Sequence, residues 1–155
     1  MFIKISSTFN ATTERVCQEL SKTKLLHYVG KPLIQFIPVN GDLPEVWQEG
    51  EYTVEMKLFS IIPFGKQKVV IKQPSEEEKK KHHYAMLDDG RGELISTWRH
   101  LITVDEVNNG KALYTDTVEV QAGVLTFFVW VFANIFFWHR QRRWKKLIQN
   151  NFSYQ

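Results

Sequence analysis

Residues 123–148 read GVLTFFVWVFANIFFWHRQRRWKKLI, a long, mostly apolar run followed at once by a basic segment. At the 100° per residue of a helix, Thr126, Val129, Trp130, Ala133, Phe137, Trp144, Leu147 and Ile148 fall on one side. In the second half the other side is charged or amide: Gln141, Arg142, Arg143, Lys145, Lys146 and Gln149. In the first half the other side is apolar as well, with Val124, Phe127, Phe128, Val131, Phe132, Ile135 and Trp138. A helix that is apolar all round needs cover on both sides, from protein, ligand or membrane.

Upstream, the chain alternates. Ile3, Ile5 and Phe9 oppose Lys4, Ser6 and Thr8 in a half-buried strand. Thr12 is placed to cap a helix carrying Val16, Cys17 and Leu20, and a second short helix over residues 22–29 stops at Gly30 and Pro32. Strand patterns follow over 33–39, 47–58, 66–72, 83–87, 94–104 and 112–122. Asn40-Gly41-Asp42, Pro63-Phe64-Gly65, Asp88-Asp89-Gly90 and Asn108-Asn109-Gly110 read as the turns between them, and SEEEKKK (75–81) as a solvated loop. The order is one strand, two helices, six strands and one long helix: an α+β domain whose antiparallel sheet has an apolar face for the last helix to cover.

The 155 residues fit one domain, 1–155, and aromatics at 14% point to a large apolar interior or a lined pocket. Net charge is +3 but uneven. Five cations, Arg140, Arg142, Arg143, Lys145 and Lys146, follow Trp138 with no acid among them, which leaves 15 cations against 17 acids elsewhere. This basic end complements the helix dipole, or meets an anionic partner such as lipid headgroups; nucleic acid is not expected, because no recognition module accompanies it. Cys17 is alone, so there is no disulfide framework or cysteine metal site. The start of the chain lacks a signal-peptide core, and a cytoplasmic protein is expected, with membrane association at most peripheral.

The element order with its long apolar C-terminal helix resembles the helix-grip fold of the SRPBCC superfamily, which includes START-like lipid-binding domains and polyketide cyclases. Locally, WQEGEYTVEMKLFSIIPFGKQ, STWRHLITV and the run from Tyr114 to Leu147 resemble a functionally unassigned group within it. The resemblance implies a curved sheet of about seven strands gripping the last helix around an apolar cavity. It implies no particular reaction.

Gly-rich phosphate loops, HExxH, paired cysteines and GxSxG are all missing, and no metal or cofactor is expected. His82 and His83 point to opposite sides of a strand and read as loop-edge residues. His100 and Asp116 are the candidate catalytic pair: a loop of Asn108–Gly110 sets Ile102 opposite Asp116 with His100 diagonal to it, and a five-residue loop sets His100 opposite. Such a pair serves as a general base, or simply neutralises itself. Tyr52, Met56, Tyr84, Trp98, His100, Tyr114 and Asn134 are the candidate ligand-binding residues; residues such as these aromatics and Met56 are more often plain core than ligand contacts. Val124, Phe128, Val131, Ile135 and Trp138 form a candidate interaction face, for a second copy or a membrane surface; the apolar run is shorter than the roughly 20 residues of a membrane span. Three functions are therefore in play: binding or transport of a small hydrophobic molecule, a cyclase or dehydratase using His100 and Asp116, and an interaction module acting through the C-terminal helix.

Overall fold

Every alternating run identified in the sequence becomes a strand, and the strands join in one antiparallel sheet. The computed structural model describes residues 1–155. In chain order it holds β1 (Phe2–Phe9), α1 (Thr13–Leu20), α2 (Lys24–Gly30), β2 (Ile34–Pro38), β3 (Gly50–Leu58), β4 (Ile62–Lys72), α3 (Glu76–Lys81), β5 (Tyr84–Gly92), β6 (Thr97–Val107), β7 (Lys111–Gln121) and α4 (Thr126–Gln149). Spatial order is β1-β7-β6-β5-β4-β3-β2, so β2 to β7 form a meander and β1 closes against β7. This is the expected helix-grip arrangement.

Local chemistry explains the element boundaries. Thr12 Oγ1 accepts the Arg15 amide and starts α1. Asn109 and Gly110 take the left-handed conformation in the short turn between β6 and β7. That turn sets Ile102 against Asp116 and His100 against Val118, the three-residue register. The segment SEEEKKK is a short helix rather than a loop. Ser75 and Glu78 form a reciprocal capping box, and its acids precede its lysines along the dipole.

Two expected turns lie inside strands instead. Pro63-Phe64-Gly65 belongs to β4, and the chain reverses at Phe59 and Ser60, both at positive φ. Asp88-Asp89-Gly90 belongs to β5. Gly90 and Gly92 serve close packing, not turning: a Cβ on Gly90 would sit 2.6 Å from the Lys68 carbonyl oxygen, and one on Gly92 2.7 Å from that of Lys66.

Helix α4 packs on β1, β7 and α2. It buries Val129, Ala133, Phe136, Phe137, Arg140, Gln141, Trp144 and Leu147. Its C-terminal half joins a filled core in which Phe9 stacks on Tyr114 at 5.1 Å and meets Trp144 at 5.5 Å. The other core lies beneath its N-terminal half and contains Met56, Val69, Ile71, Val118 and Phe137. By length and composition Gly123–Gln149 could cross a membrane, but this buried side seats it on the sheet.

Replacing Gly90 by Ala forces a side chain against backbone, which cannot yield as a flexible side chain would. We expect it to cost about 1–3 kcal/mol, the range of overpacked sites, read as a lowered urea midpoint with unchanged slope. An unaltered midpoint would mean that β4 and β5 are not held this closely.

Candidate functional site

Between α4 and the concave side of the sheet lies a cavity of about 290 Å³, partly open to solvent. It is at the lower edge of the range typical of small-molecule sites. Of its 26 wall residues 21 are hydrophobic, leaving only Lys22, Gln67, Asp88, His100 and Arg140 as polar groups. The apolar wall includes Met56, Trp98, Phe128, Phe132, Phe136 and Phe137.

Behind His100 is a buried polar node. Asp116 is fully enclosed and accepts on both oxygens. His100 Nε2 lies 2.8 Å and the Tyr114 hydroxyl 2.9 Å from Oδ1, while Gln141 Nε2 donates to Oδ2 at 3.0 Å. The Arg140 guanidinium donates through Nε and Nη2 to the Tyr114 hydroxyl oxygen, and its Nε is 3.5 Å from Oδ1. Burial alone would raise the Asp116 carboxyl; the charge of Arg140 and the hydrogen bonds of His100 and Gln141 outweigh it and hold the group below the ordinary carboxylate range. Burial lowers His100, and Arg140 adds to that, while Asp116 only partly restores its basicity. The ring is therefore neutral near pH 7. An ionised Asp116 fixes the proton on Nε2, so Nδ1 is an acceptor left for the cavity.

Asp88 is the one carboxyl on the cavity wall itself. It stands directly opposite His100 in the β5–β6 register, and its Oδ1 accepts the Val70 amide at 2.8 Å. Burial, aided by neighbouring Asp89, pushes it up to about 7 against the pull of the Val70 amide and Arg140. The sequence reading missed this residue because Asp-Asp-Gly is turn chemistry. Its signal was the alternation Tyr84, Met86, Asp88, which continues the inward face of β5.

The cavity wall includes the sequence candidates Met56, Trp98 and His100, with Asp116 one layer behind. Four others lie elsewhere. Tyr52 donates to the Gln48 carbonyl and packs edge-on to Trp47. Tyr84 packs beside the second core. Tyr114 is buried in that core with its hydroxyl in the node. Asn134 donates back to the Trp130 carbonyl one turn earlier along α4. His82 and His83 are tied to Asp105 at the edge of the sheet.

The basic end is smaller than its sequence. Arg140 is buried, and Arg143 is half-buried over the Tyr28 ring at 4.0 Å. Arg142, resting on Trp138, and Lys145 and Lys146 remain exposed. The face of Val124, Phe128, Val131, Ile135 and Trp138 is exposed throughout.

The raised Asp88 carboxyl has a definite consequence. The folded protein holds this proton more tightly than the unfolded chain, so the stability it contributes is present below the unfolded value near 4 and is lost as pH rises through about 7. The lowered histidines His27 and His100 act in the opposite sense. The comparison with Asp88→Asn isolates the carboxyl: urea stabilities of the two proteins should agree near pH 3, begin to part above pH 4 and differ fully by pH 8, the variant being the more stable. Parallel profiles would rule out a proton on Asp88.

No family model matches the chain, and no curated protein does. Solved structures do. A START superfamily protein from Mycobacterium smegmatis aligns at 10% identity over 96% of this chain and 97% of its own, with a TM-score of 0.68. A protein from Chromobacterium violaceum aligns at 13% identity over 95% and 96%, also at 0.68. The Aha1 dimer from Colwellia psychrerythraea aligns at 11% over 95% of each chain, at 0.61. At such identities the likeness carries the architecture alone, and that architecture is the START-like helix-grip fold.

Proposed function

We propose that the protein binds, and by binding carries, a small hydrophobic molecule of lipid, isoprenoid or polyketide kind in the cavity under α4. The supporting observation is the cavity itself: an apolar space left unfilled where the adjoining core, around Phe9, Tyr114 and Trp144, is tightly packed. The cyclase or dehydratase reading draws on His100, whose Nδ1 is unspent. Against it, the wall offers no serine, threonine, cysteine or tyrosine as a nucleophile, and His100 is a weakened base.

A second reading rests on a separate observation. Two exposed apolar segments flank the cavity: the outer face of α4, with Val124 at 95% and Phe128 at 67% exposure, and the β3–β4 tip, with Phe59, Ile61 and Ile62 between the wall residues Leu58 and Phe64. Further along the same side, α4 turns basic at Arg142, Lys145 and Lys146, and it carries no acid anywhere. A second copy packed α4 against α4 would bring no carboxylate to those cations, whereas an anionic bilayer surface would bring negative headgroups. We read this side as a reversible docking face for a cytoplasmic protein on anionic membrane.

Both readings are testable. Native mass spectrometry of fresh protein should show a co-purifying small molecule, and the neutral probe N-phenyl-1-naphthylamine should bind saturably near one to one. Met56→Trp, which fills the cavity, should weaken the probe about tenfold or more. Non-saturable binding indifferent to Met56→Trp and Trp98→Ala would sink the carrier reading. A ligand released with altered mass, in a manner lost in His100→Asn, would establish the enzyme instead. For docking, the protein should co-sediment with phosphatidylcholine–phosphatidylglycerol vesicles and not with phosphatidylcholine alone. Val124→Glu with Ile135→Glu should abolish this. Concentration-dependent mass in ultracentrifugation, lost in the same variant, would assign the face to a second copy.

A further inference from the structure

The polar wall residues of the cavity are not scattered. Lys22 stands apart from the rest, its Nζ turned to Glu19 Oε1 at 2.7 Å, a carboxylate it shares with Arg15. The other four make a band across adjacent elements: Gln67 on β4, Asp88 on β5, His100 on β6 and Arg140 on α4. Gln67 is only 6% exposed, yet its Nε2 makes no hydrogen bond. Its side chain lies over the two glycines of β5, so that a Cβ on Gly90 would stand 3.3 Å from Gln67 Nε2 and 3.1 Å from Asp88 Oδ1. The missing side chains thus make room for an amide whose donor has no protein partner. A buried, unpaired donor costs about 1–3 kcal/mol, which a ligand acceptor would offset.

The unspent valences of the band can be counted. Gln67 Nε2 and Arg140 Nη1 are donors without a partner in the chain, because Arg140 uses Nε and Nη2 on Tyr114. His100 Nδ1 is an acceptor, since Nε2 faces Asp116. Asp88 Oδ2 is free, because Oδ1 receives the Val70 amide. Donors and acceptors are both on offer, which suits a group that can give one hydrogen bond and take others. Charge narrows the choice further. Arg140 is already matched by Asp116, so the remaining charge in the band is that of Asp88. A ligand carboxylate placed in the band would face it with no free cation among these four residues to balance the two.

Building on the carrier reading, we infer that the cavity takes an apolar molecule bearing a neutral hydroxyl or phenol group, held by Gln67, Asp88, His100 and Arg140, and that it rejects the matching carboxylate. The hydroxyl donates to His100 Nδ1 or Asp88 Oδ2 and accepts from Gln67 Nε2 or Arg140 Nη1. The apolar tail runs along Met56, Phe132 and Phe136.

The test is displacement of N-phenyl-1-naphthylamine at pH 8 by three chains of similar length: 1-decanol, decanoate and undecane. Decanol should compete about tenfold or more better than either of the others. Gln67→Leu, which removes an unpaired amide and should keep the fold, ought to shrink decanol's advantage over undecane severalfold while leaving undecane unchanged. Asp88→Asn ought to strengthen decanoate. If the probe and undecane bind but decanol gains nothing, or decanoate binds as well as decanol, the head-group inference is overturned and the cavity reading survives. If neither the probe nor undecane binds saturably, the cavity reading itself fails, and this inference with it.

Discussion

An ionised carboxylate sealed away from water costs several kcal/mol unless its charge and lone pairs are matched. Asp116, fully enclosed, is such a group, and meeting its demands joins the two layers of the fold. His100 and Tyr114 come from the sheet; Arg140 and Gln141 come from α4. Gln141 Nε2 also donates to the Ile5 carbonyl on β1 at 2.7 Å, so one amide touches helix, β7 and β1 together. Apolar packing alone tolerates sliding and rotation of a helix on a sheet. A charge with this many directional partners does not, and it fixes which side of α4 turns inward.

That fixed rotation accounts for the uneven interior. Beyond Arg140, Trp144 and Leu147 close onto Phe9 and Tyr114 and fill the space. Before it, Leu125, Phe128, Val129, Phe132, Phe136 and Phe137 line the cavity instead, facing strands β2 to β5 that α4 does not pack against closely, while Phe137 meets Trp98 and His100 on β6. The node is therefore both the pin that holds the helix and the polar end of the space it encloses. Substitutions at His100 or Arg140 act on stability and on the cavity at once, whereas Gln67 and Met56 separate the two.

The architecture was legible because strand alternation and one long apolar helix leave few ways to bury what they expose. The register between β6 and β7 was not legible to the same degree: the sequence allows a three- or a five-residue loop, and the structure forms the three-residue one, with Ile102 on Asp116. The site was legible only in part. Counting cations put Arg140 in a basic patch, although its angular position lies midway between Ala133 and Phe136 on the buried side of α4. Gln141 reads as outward because it is an amide beside charged neighbours, and both residues lie inward because Asp116 needs them. Asp88 and Gly90 were read as a turn from local chemistry, when a tertiary demand, room for the Gln67 amide and the Lys68 carbonyl, had placed glycine there. Tyr52 and Asn134 failed as wall residues because strand and helix periodicity give the face and not the position along it; Gln48 and Trp130 carbonyls lie nearer to them than the cavity does.

The exposed side of α4 is the part the fold does not require. Val129, Ala133, Phe136 and Phe137 seat the helix, and polar residues at Val124, Val131 or Ile135 would leave that packing intact while improving solubility. The chain keeps them apolar up to Trp138 and turns basic immediately after, with Arg142 stacked on the Trp138 ring at 4.6 Å. Phe128 and Leu125 belong to both surfaces: each is exposed, and each lines the cavity. The outer apolar stripe is therefore continuous with the inner apolar wall at the start of the helix. For a carrier of a poorly soluble molecule this continuity matters, because a ligand moving between bilayer and cavity along it need not cross water. On that view the surplus apolar face and the unfilled core are one feature, seen from outside and from within.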